Sequence, residues 1–339
     1  MDSIEPSSVM GPTVSVIIPT YNRLARLQRV LTALADQTYP AERLEIVVVS
    51  DGSTDGTDQY LQDHPPVELV FACQPNAGPA AARNRGIELA SGTLVVFVDD
   101  DVIPVPGLVE QHVESHRKGG DGLVVIGPML TPLDVELSPW VQWEQTMLYR
   151  QYDAMVKGCY EPTPRQFYTG NASVARDALV EVGGFDTRFF RAEDIELAYR
   201  LQDAGLRFVF NPDAIGYHHA DRSFASWLQI AHDYGVNDVV FARDQRRDAV
   251  GQIVREGFER RAAPIRWITS ACVAQPPVDA AARRVFKAAY VASTRIRARR
   301  VTRFALSGLY NTSYYRGLAD ELGGPVAFRQ VVASPGAWS

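Results

Sequence analysis

The sequence predicts an α/β fold: a mostly parallel central sheet flanked by helices, followed by a mainly helical C-terminal region. Three observations carry this. Short β-branched runs alternate with segments of helical period through about residue 130, the pattern of βαβ units. The apolar run Leu94-Val95-Val96-Phe97-Val98 reads as a buried strand and ends abruptly in Asp99, Asp100 and Asp101. Beyond about Asp221 the chain reads as helical segments broken at Pro264 and at Pro276-Pro277.

Each element follows from its residues. Val14 to Pro19 is a short strand, and Leu24 to Ala35 is a helix with Leu24, Leu27, Leu31 and Leu34 at helical spacing. Leu44 to Val49 and Val67 to Phe71 are the second and third strands. Pro79 to Ala90 is a helix with proline in its first turn. After the strand Leu94 to Val98, Leu123 to Ile126 is extended and Trp140 to Val156 is an aromatic-rich helix. Thr169 to Val174 is a strand, Gly183-Gly184-Phe185 a turn, and Glu193 to Ala204 a helix stopped by Gly205. Phe208 to Phe210 and Ala214 to Tyr217 are extended.

At 339 residues the chain holds one large domain or a domain with an appendage. A net charge of -6 argues against nucleic acid as the main partner. Cys73, Cys159 and Cys272 are scattered, without CxxC spacing, which disfavours a disulfide framework or a zinc site and makes a reducing compartment the default. Residues 1–12 read as a flexible polar leader with no secretory pattern, and no run of about 18 apolar residues spans a bilayer. The expectation is a cytoplasmic protein, at most peripheral on the cytoplasmic face of a membrane.

Three adjacent carboxylates at the carboxyl end of a buried strand cannot all stay ionised cheaply unless a cation or a set of donors neutralises them. Carboxylate oxygens suit Mn²⁺ or Mg²⁺, which bridge proteins to substrate diphosphates, and ligands of open α/β sheets sit at this edge. The plainer alternative is a polar turn. The first strand ends in Pro19-Thr20-Tyr21-Asn22-Arg23 and the second in Ser50-Asp51-Gly52-Ser53-Thr54-Asp55-Gly56, so small polar residues gather at the same edge. Asp51 can accept hydrogen bonds from a base or ribose, while Asp55 is read as a turn and cap residue. No Gly-rich phosphate loop is present. In Asn76 to Gly86, small residues let a helix pack on the sheet with Arg83 and Asn84 toward an edge.

Together these segments resemble the family 2 glycosyltransferases, whose catalytic domain has the GT-A fold. Val14 to Arg23 is similar to that family's opening strand and turn, Val47 to Asp55 to its second, and Asp99-Asp100-Asp101 to its DxD motif. The similarity continues in Gly170-Asn171-Ala172-Ser173, Gly183-Gly184-Phe185-Asp186, and Glu193-Asp194-Ile195-Glu196-Leu197 with Arg200, covering roughly residues 13–220. It implies a catalytic domain over 13–221, with a nucleotide-binding part 13–130 and an acceptor part 131–221, and a helical region over 222–339. It implies an inverting, metal-dependent transferase using a nucleotide-sugar donor, UDP- or dTDP-sugar favoured and GDP-sugar open, and Mn²⁺ or Mg²⁺. The sequence leaves the acceptor open among a glycan, a lipid-linked saccharide, a protein and a small molecule.

By the same resemblance Asp51 contacts the nucleobase with Arg83 beside it, and Pro19, Thr20, Tyr21 and Asn22 line the pocket. Asp99 faces the ribose or the metal-bound diphosphate, Asp101 ligates the metal, and Asp100 is a ligand, a ribose contact or neither. Asp194 is the general base, with Glu193 orienting the acceptor or supporting it. His218 helps to hold the metal, with His219 the alternative. Gly170 and Asn171 belong to the acceptor side. Apart from the resemblance, Trp143, with Trp140, Trp227 and Tyr234, suits an acceptor-side wall because sugars stack on aromatics, although such residues are more often simply core. A QxxRW motif is absent, Gln229 being followed by Ile230-Ala231-His232-Asp233, so transfer of one sugar or a few is favoured over processive synthesis.

Residues 282–304 are basic, with Val285, Phe286, Ala289, Ala292 and Ile296 on one helical face, suiting either contact with anionic lipid or a solvated packed helix. A homodimer through the helical region is conceivable. The rival readings are a nucleotidyltransferase, which would favour a Gly-rich basic loop after the first strand, and a sugar-nucleotide-binding module without chemistry, which would not need Asp99, Asp101 and Asp194 together.

Overall fold

In the computed structural model, which describes residues 11–333 except 64, 121, 190 and 246, the chain divides into two compact units. The leader expected over 1–12 lies almost wholly outside the described residues.

The first unit comprises Met1–Glu136 and Met147–Ala220. Its strands and helices alternate as β1 (Val14–Thr20), α1 (Leu24–Ala35), β2 (Leu44–Asp51), α2 (Thr57–Asp63), β3 (Val70–Gln74), α3 (Pro79–Leu89) and β4 (Leu94–Val98). They continue through β5 (Val102–Pro104), α4 (Leu108–Gly119), β6 (Leu123–Ile126), β7 (Met129–Leu130), α5 (Pro139–Val156), β8 (Asn171–Ala175), α6 (Arg176–Glu181), α7 (Glu193–Asp203), β9 (Arg207–Phe210) and β10 (Gly216–His218). Seven strands form one sheet in the order β3-β2-β1-β4-β8-β6-β9. All its pairings are parallel except those of β8, which runs antiparallel to both β4 and β6. A small second sheet, β5-β10-β7, carries β10 antiparallel to β5.

Strand alternation sends successive side chains to opposite faces. Val14, Val16 and Ile18 of β1, with Leu94, Val96 and Val98 of β4, pack on one side against Leu27, Val30, Leu31 and Leu34 of α1 and Leu108 and Val109 of α4. Ile17, Val95 and Phe97 face the other side, against Ala80 and Ile87 of α3, Leu179 of α6 and Leu197 and Leu201 of α7. Both faces are therefore covered, as a parallel sheet requires. Gly86 of α3 sits where a Cβ would meet the Ile17 side chain at 2.4 Å, which lets α3 lie close on the sheet.

Three helices of the first unit were not expected from the sequence, the six-residue α6 among them. α2 is short, and α4 buries a histidine, His112, among apolar residues, which obscures its apolar stripe. The third strand starts at Val70 rather than Val67 and runs on to Gln74, because its pairing with β2 reaches as far as Asp51.

The second unit comprises Leu137–Thr146 and Asp221–Ser339. It holds the start of α5, then α8 (Phe224–Val239), α9 (Asp248–Glu259), α10 (Ala263–Ala274), α11 (Pro276–Arg295), α12 (Arg299–Glu321) and α13 (Pro325–Ala333). The segment Leu137–Thr146, expected in the acceptor part, clusters here because its aromatics complete a core. Trp227 is fully buried, with Trp143, Tyr310 and Phe224 at ring-centroid distances of 5.7, 5.5 and 5.9 Å. α8 and α12 touch backbone to backbone: a Cβ on Gly235 would meet the Tyr314 carbonyl oxygen, and one on Gly317 the His232 carbonyl oxygen, each at 2.0 Å. Among the described residues no helix is long and apolar enough to cross a membrane.

Candidate active site

The carboxyl ends of β1, β2 and β4 share one edge, and the turn residues there are tied to one another. Asn22, in the left-handed region at φ 53, accepts from Thr54 N–H at 2.7 Å through its Oδ1, while its own N–H donates to Ser53 Oγ at 3.1 Å. Asp55 accepts from the N–H groups of Leu24 and Thr57, so it caps α1 and α2; this is the cap role the sequence assigned to it. Pro19, next to last in β1, is half-buried, and Tyr21, just past the end of the strand, is exposed.

Asp51 is buried at the end of β2. Its Oδ1 accepts from Gln74 Nε2 at 2.7 Å and Ala77 N–H at 2.9 Å, and its Oδ2 from Gly78 N–H at 2.9 Å. A carboxylate offers about four acceptor sites, so this clamp on the turn before α3 leaves capacity for one further donor.

The three aspartates after β4 diverge. Asp99 is the most open, with a side chain 34% exposed, and accepts from Arg83 Nη2 at 2.8 Å. Gly170 lies beside it: a Cβ there would stand 3.0 Å from Asp99 Oδ2. Asp100 turns inward, accepting from Thr20 Oγ1 at 2.8 Å and Arg23 Nη1 at 2.8 Å. Burial pushes its carboxyl up to about 6, against the pull of Arg23 and with the added push of Asp101. Asp101 accepts from Arg23 and Arg26 at 3.0 and 3.3 Å. Its other oxygen faces His218 Nε2 at 3.6 Å. The antiparallel pairing of β10 with β5 sets His218 opposite Val102, and His219 N–H donates to the Asp101 carbonyl. Of the two histidines, His218 faces Asp101, whereas the His219 ring turns to Arg29 at 3.1 Å.

Arg23 and Arg26 were absent from the expected site. The signal for them was present: two arginines in the first turn of a helix with no acidic residue there sit at the positive end of its dipole and need an anionic partner.

α7 opens with Glu193 and Asp194. Ala192 before them is buried and in the left-handed region at φ 59, a conformation that costs a non-glycine residue on the order of 1 kcal/mol and often accompanies functional sites. Glu193 Oε1 accepts from Arg83 Nη1 at 2.9 Å. Arg83 thus joins Asp99, at the end of β4, to Glu193, at the start of α7, with its guanidinium 5.7 Å from the Phe185 ring centre. Arg83, expected beside Asp51, bonds these two carboxylates through its two terminal nitrogens. Its neighbour Asn84 clasps the backbone of Phe185, donating to the carbonyl at 2.8 Å and accepting from the N–H at 2.7 Å. Asp194 is half-buried and accepts from Ile195 N–H at 2.8 Å. Burial first, and the Glu193 charge second, raise its carboxyl to about 7.

Two residues named for the acceptor side have other partners. Asn171 is fully buried: its Nδ2 donates to the carbonyls of Pro128 and Ala214 at 3.0 and 2.7 Å, and its Oδ1 pairs with His112 Nε2 at 2.9 Å. Every polar atom of that side chain serves the fold, so none remains to meet a sugar. Trp143 lies in the aromatic core of the helical unit.

Among the described residues no three His, Cys, Asp or Glu side chains are gathered as a metal cage. The donor set still fits a divalent ion of the kind held by one or two protein ligands with substrate phosphates and water supplying the rest. Asp101 and His218 present a carboxylate oxygen and an imidazole nitrogen toward each other, 3.6 Å apart.

Comparisons with known proteins bear on the family and the fold. The profile of glycosyl transferase family 2 matches residues 15–184. Validoxylamine A glucosyltransferase of Streptomyces hygroscopicus subsp. jinggangensis is 33% identical over 232 residues, covering 60% of this chain and 55% of that protein. The chain thus spans about half the length of that relative. Glycosyltransferase AglE of Haloferax volcanii is 29% identical over 270 residues, 78% of this chain and 83% of AglE. The mannosyltransferase PcManGT from Pyrobaculum calidifontis, solved with GDP-Man and Mn²⁺, has a similar fold at a TM-score of 0.63 and 22% identity, covering 93% of this chain and 89% of that one. With the profile matched over half of the chain and the GT-A-type sheet carrying its motifs at one edge, the chain belongs to glycosyl transferase family 2.

Proposed function

We propose that the protein moves one sugar at a time from a nucleoside-diphosphate sugar to an acceptor hydroxyl, inverting the anomeric centre, with Asp194 as the base. The observation that carries this is the bridge made by Arg83, which ties the Asp99 carboxylate at the β4 edge to the Glu193-Asp194 pair on α7. One buried guanidinium thereby fixes the donor-side carboxylate and the base-bearing turn to each other. A carboxylate held up to about 7 is matched to accepting a hydroxyl proton near neutral pH.

Displacement at an anomeric carbon develops oxocarbenium character and sheds a nucleoside diphosphate. Asp194 takes the acceptor's proton as the new bond forms, on the face opposite the leaving group, so a single displacement inverts. Asp99, the exposed member of the triad, meets the ribose or diphosphate. Asp51 uses its remaining acceptor capacity on a base N–H, which uracil and thymine offer at N3 and guanine at N1, and the exposed Tyr21 borders the same pocket. Asp101 and His218 would hold Mn²⁺ or Mg²⁺, which when bound offsets charge on the departing diphosphate. Arg23 and Arg26 keep Asp100 and Asp101 in place beneath it.

Calorimetric titration of UDP, dTDP and GDP, with Mn²⁺ and then with EDTA, tests the donor half. One nucleotide binding more tightly with Mn²⁺ supports the reading and names the donor class. No binding of any of the three in the presence of metal sinks it.

A further inference from the structure

The helical unit ends one of its hairpins in a surface that neither fold nor catalysis explains. α11 and α12 pack antiparallel: Phe286 fits against Gly308, where a Cβ would stand 2.6 Å from the ring, and Ser293 Oγ lies 2.9 Å from Thr302 Oγ1. The turn between them passes through Arg297 in the left-handed region. Around this tip stand Arg295, Arg297, Arg299, Arg300 and Arg303, all exposed. None of them has a carboxylate partner among the described residues, and no acidic residue occurs between Asp279 and Asp320. Arg283, further down α11, differs in kind, being tied to Asp279 and Ser313.

Apolar side chains are interleaved with these cations rather than tucked beneath them. Ile296 is 76% exposed, Phe304 62% and Val301 46%. Of the apolar stripe expected along 282–304, Phe286 and Ala289 face inward, whereas Ile296 and Val285 face water. Solvated arginines alone need no explanation, but Ile296, Val301 and Phe304 (whose ring also meets Phe286 at 6.1 Å) form an exposed apolar cluster ringed by arginines without carboxylate partners, and such clusters mark interaction surfaces.

We propose that the α11–α12 tip docks on an anionic lipid bilayer. The arginines take the headgroup phosphates, and Ile296, Val301 and Phe304 enter the headgroup–acyl boundary. A nucleic acid would satisfy the arginines and leave the aliphatic groups exposed, and the net charge of -6 opposes it elsewhere. The absence, among the described residues, of a helix able to cross a membrane makes such a tip an attachment to the surface only. The inference stands apart from the donor and base assignments, since it rests on residues of the helical unit alone.

Vesicle flotation of the full chain tests it, with phosphatidylcholine vesicles, the same vesicles containing about one-third phosphatidylglycerol, and a random duplex RNA as competitor. The expected result is binding to the anionic vesicles only, weakened by salt. Arg299→Glu/Arg300→Glu/Arg303→Glu should lose affinity at least tenfold, and Ile296→Ser/Phe304→Ser should lose it by a similar factor with all charges kept. Unchanged thermal unfolding of both variants, whose substituted side chains are exposed, excludes misfolding as the cause. No binding to the anionic vesicles overturns the proposal, as does equal binding to neutral ones. RNA displacing the vesicles while Ile296→Ser/Phe304→Ser binds like the parent identifies a polyanion site instead, which also overturns it.

Discussion

Replacing Glu193 by Gln should move the pH dependence of turnover, because the Glu193 charge is, after burial, the largest of the three causes that raise Asp194, the Asp99 charge being the third. With Asp194 held up to about 7, kcat/KM of the parent climbs with pH around a midpoint near that value, since the base must be ionised to accept a proton. Gln keeps the shape of the side chain and removes one negative charge. Two like charges about 7 Å apart at an effective dielectric of about 20 repel by about 2 kcal/mol, or roughly one to two pH units. Arg83 also loses one of its two carboxylates, and its less compensated field lowers Asp194 in the same direction. At about pH 6 roughly a tenth of the parent's Asp194 is ionised, whereas with a midpoint near 5.5 roughly three-quarters is. Release of nucleoside diphosphate between about pH 5 and pH 9, with water as acceptor where no other is available, measures the profile. The plateau falls because a less basic carboxylate takes the proton less readily, so the midpoint is the diagnostic. A midpoint that stays near 7 in Glu193→Gln refutes the chain of reasoning from Glu193 through Asp194 to the rate.

Asp194→Asn should cut turnover by about 10²–10⁴-fold while sparing nucleotide binding. Because the folded-state pKa of Asp194 is raised, its ionisation costs stability as pH climbs through about 7, so the same variant should melt higher than the parent at about pH 8 and lose that advantage near pH 4; the ceiling is about 4 kcal/mol. Asp101→Ala should weaken nucleotide affinity in Mn²⁺ and leave affinity in EDTA nearly unchanged; identical metal titrations in variant and parent would remove Asp101 from the metal site. Burial holds His112 and His116 down to about 4, so each contributes stability that is full above about pH 6.5 and lost as pH falls toward 4, about 2 kcal/mol per histidine by pH 5. Urea unfolding at about pH 7.5 and pH 5 should therefore show His116→Gln less acid-sensitive than the parent, the difference between the two cancelling the opposite contributions of Asp100 and Asp194.

The sheet was legible because its strands are apolar on both faces and its helices on one. Periodicity located β1, β2, β4, α1 and α3 within a few residues. It overlooked α4 because that helix spends a buried position on His112, which hydrogen-bonds to Asn171 and Ser173 of β8. A polar side chain at a core position erases the pattern, although the network it joins is fully satisfied. The same network explains the reversal at Asn171. A polar residue in a motif reads as functional from sequence, yet here it nails β8 to the segments that lead into β7 and β10, and so sets where His218 arrives. Asn171→Ala should accordingly cost about 2–4 kcal/mol of stability without a selective rise in acceptor KM.

Arg83 exposes the limit of reading residue roles one at a time. It lies one turn into α3, after the turn that Asp51 clamps, and the family resemblance sets it beside Asp51. What redirects it is long-range. Asn84 grips the backbone of Phe185, and Gly184 beside it sits at φ 69 with its missing Cβ only 2.6 Å from Asn84 Oδ1. Any larger residue at 184 would push that turn off the helix. With the turn seated, Phe185 packs edge-on against Phe97 at 5.5 Å and presents its ring to Arg83, and the following chain delivers Glu193 to the other side of the guanidinium. The Arg-Asn pair of α3 and the Gly-Gly-Phe turn, separated by about a hundred residues, are therefore one device: Asn84 fixes where the turn lies, and Arg83 uses that placement to hold the base-bearing helix against the strand that carries the aspartates. Arg83→Lys tests this directly, because a single ammonium cannot bond both carboxylates in the same fork geometry. The expected outcome is a large loss of kcat with nucleotide affinity nearly intact; lost affinity with intact kcat would return Arg83 to the nucleotide.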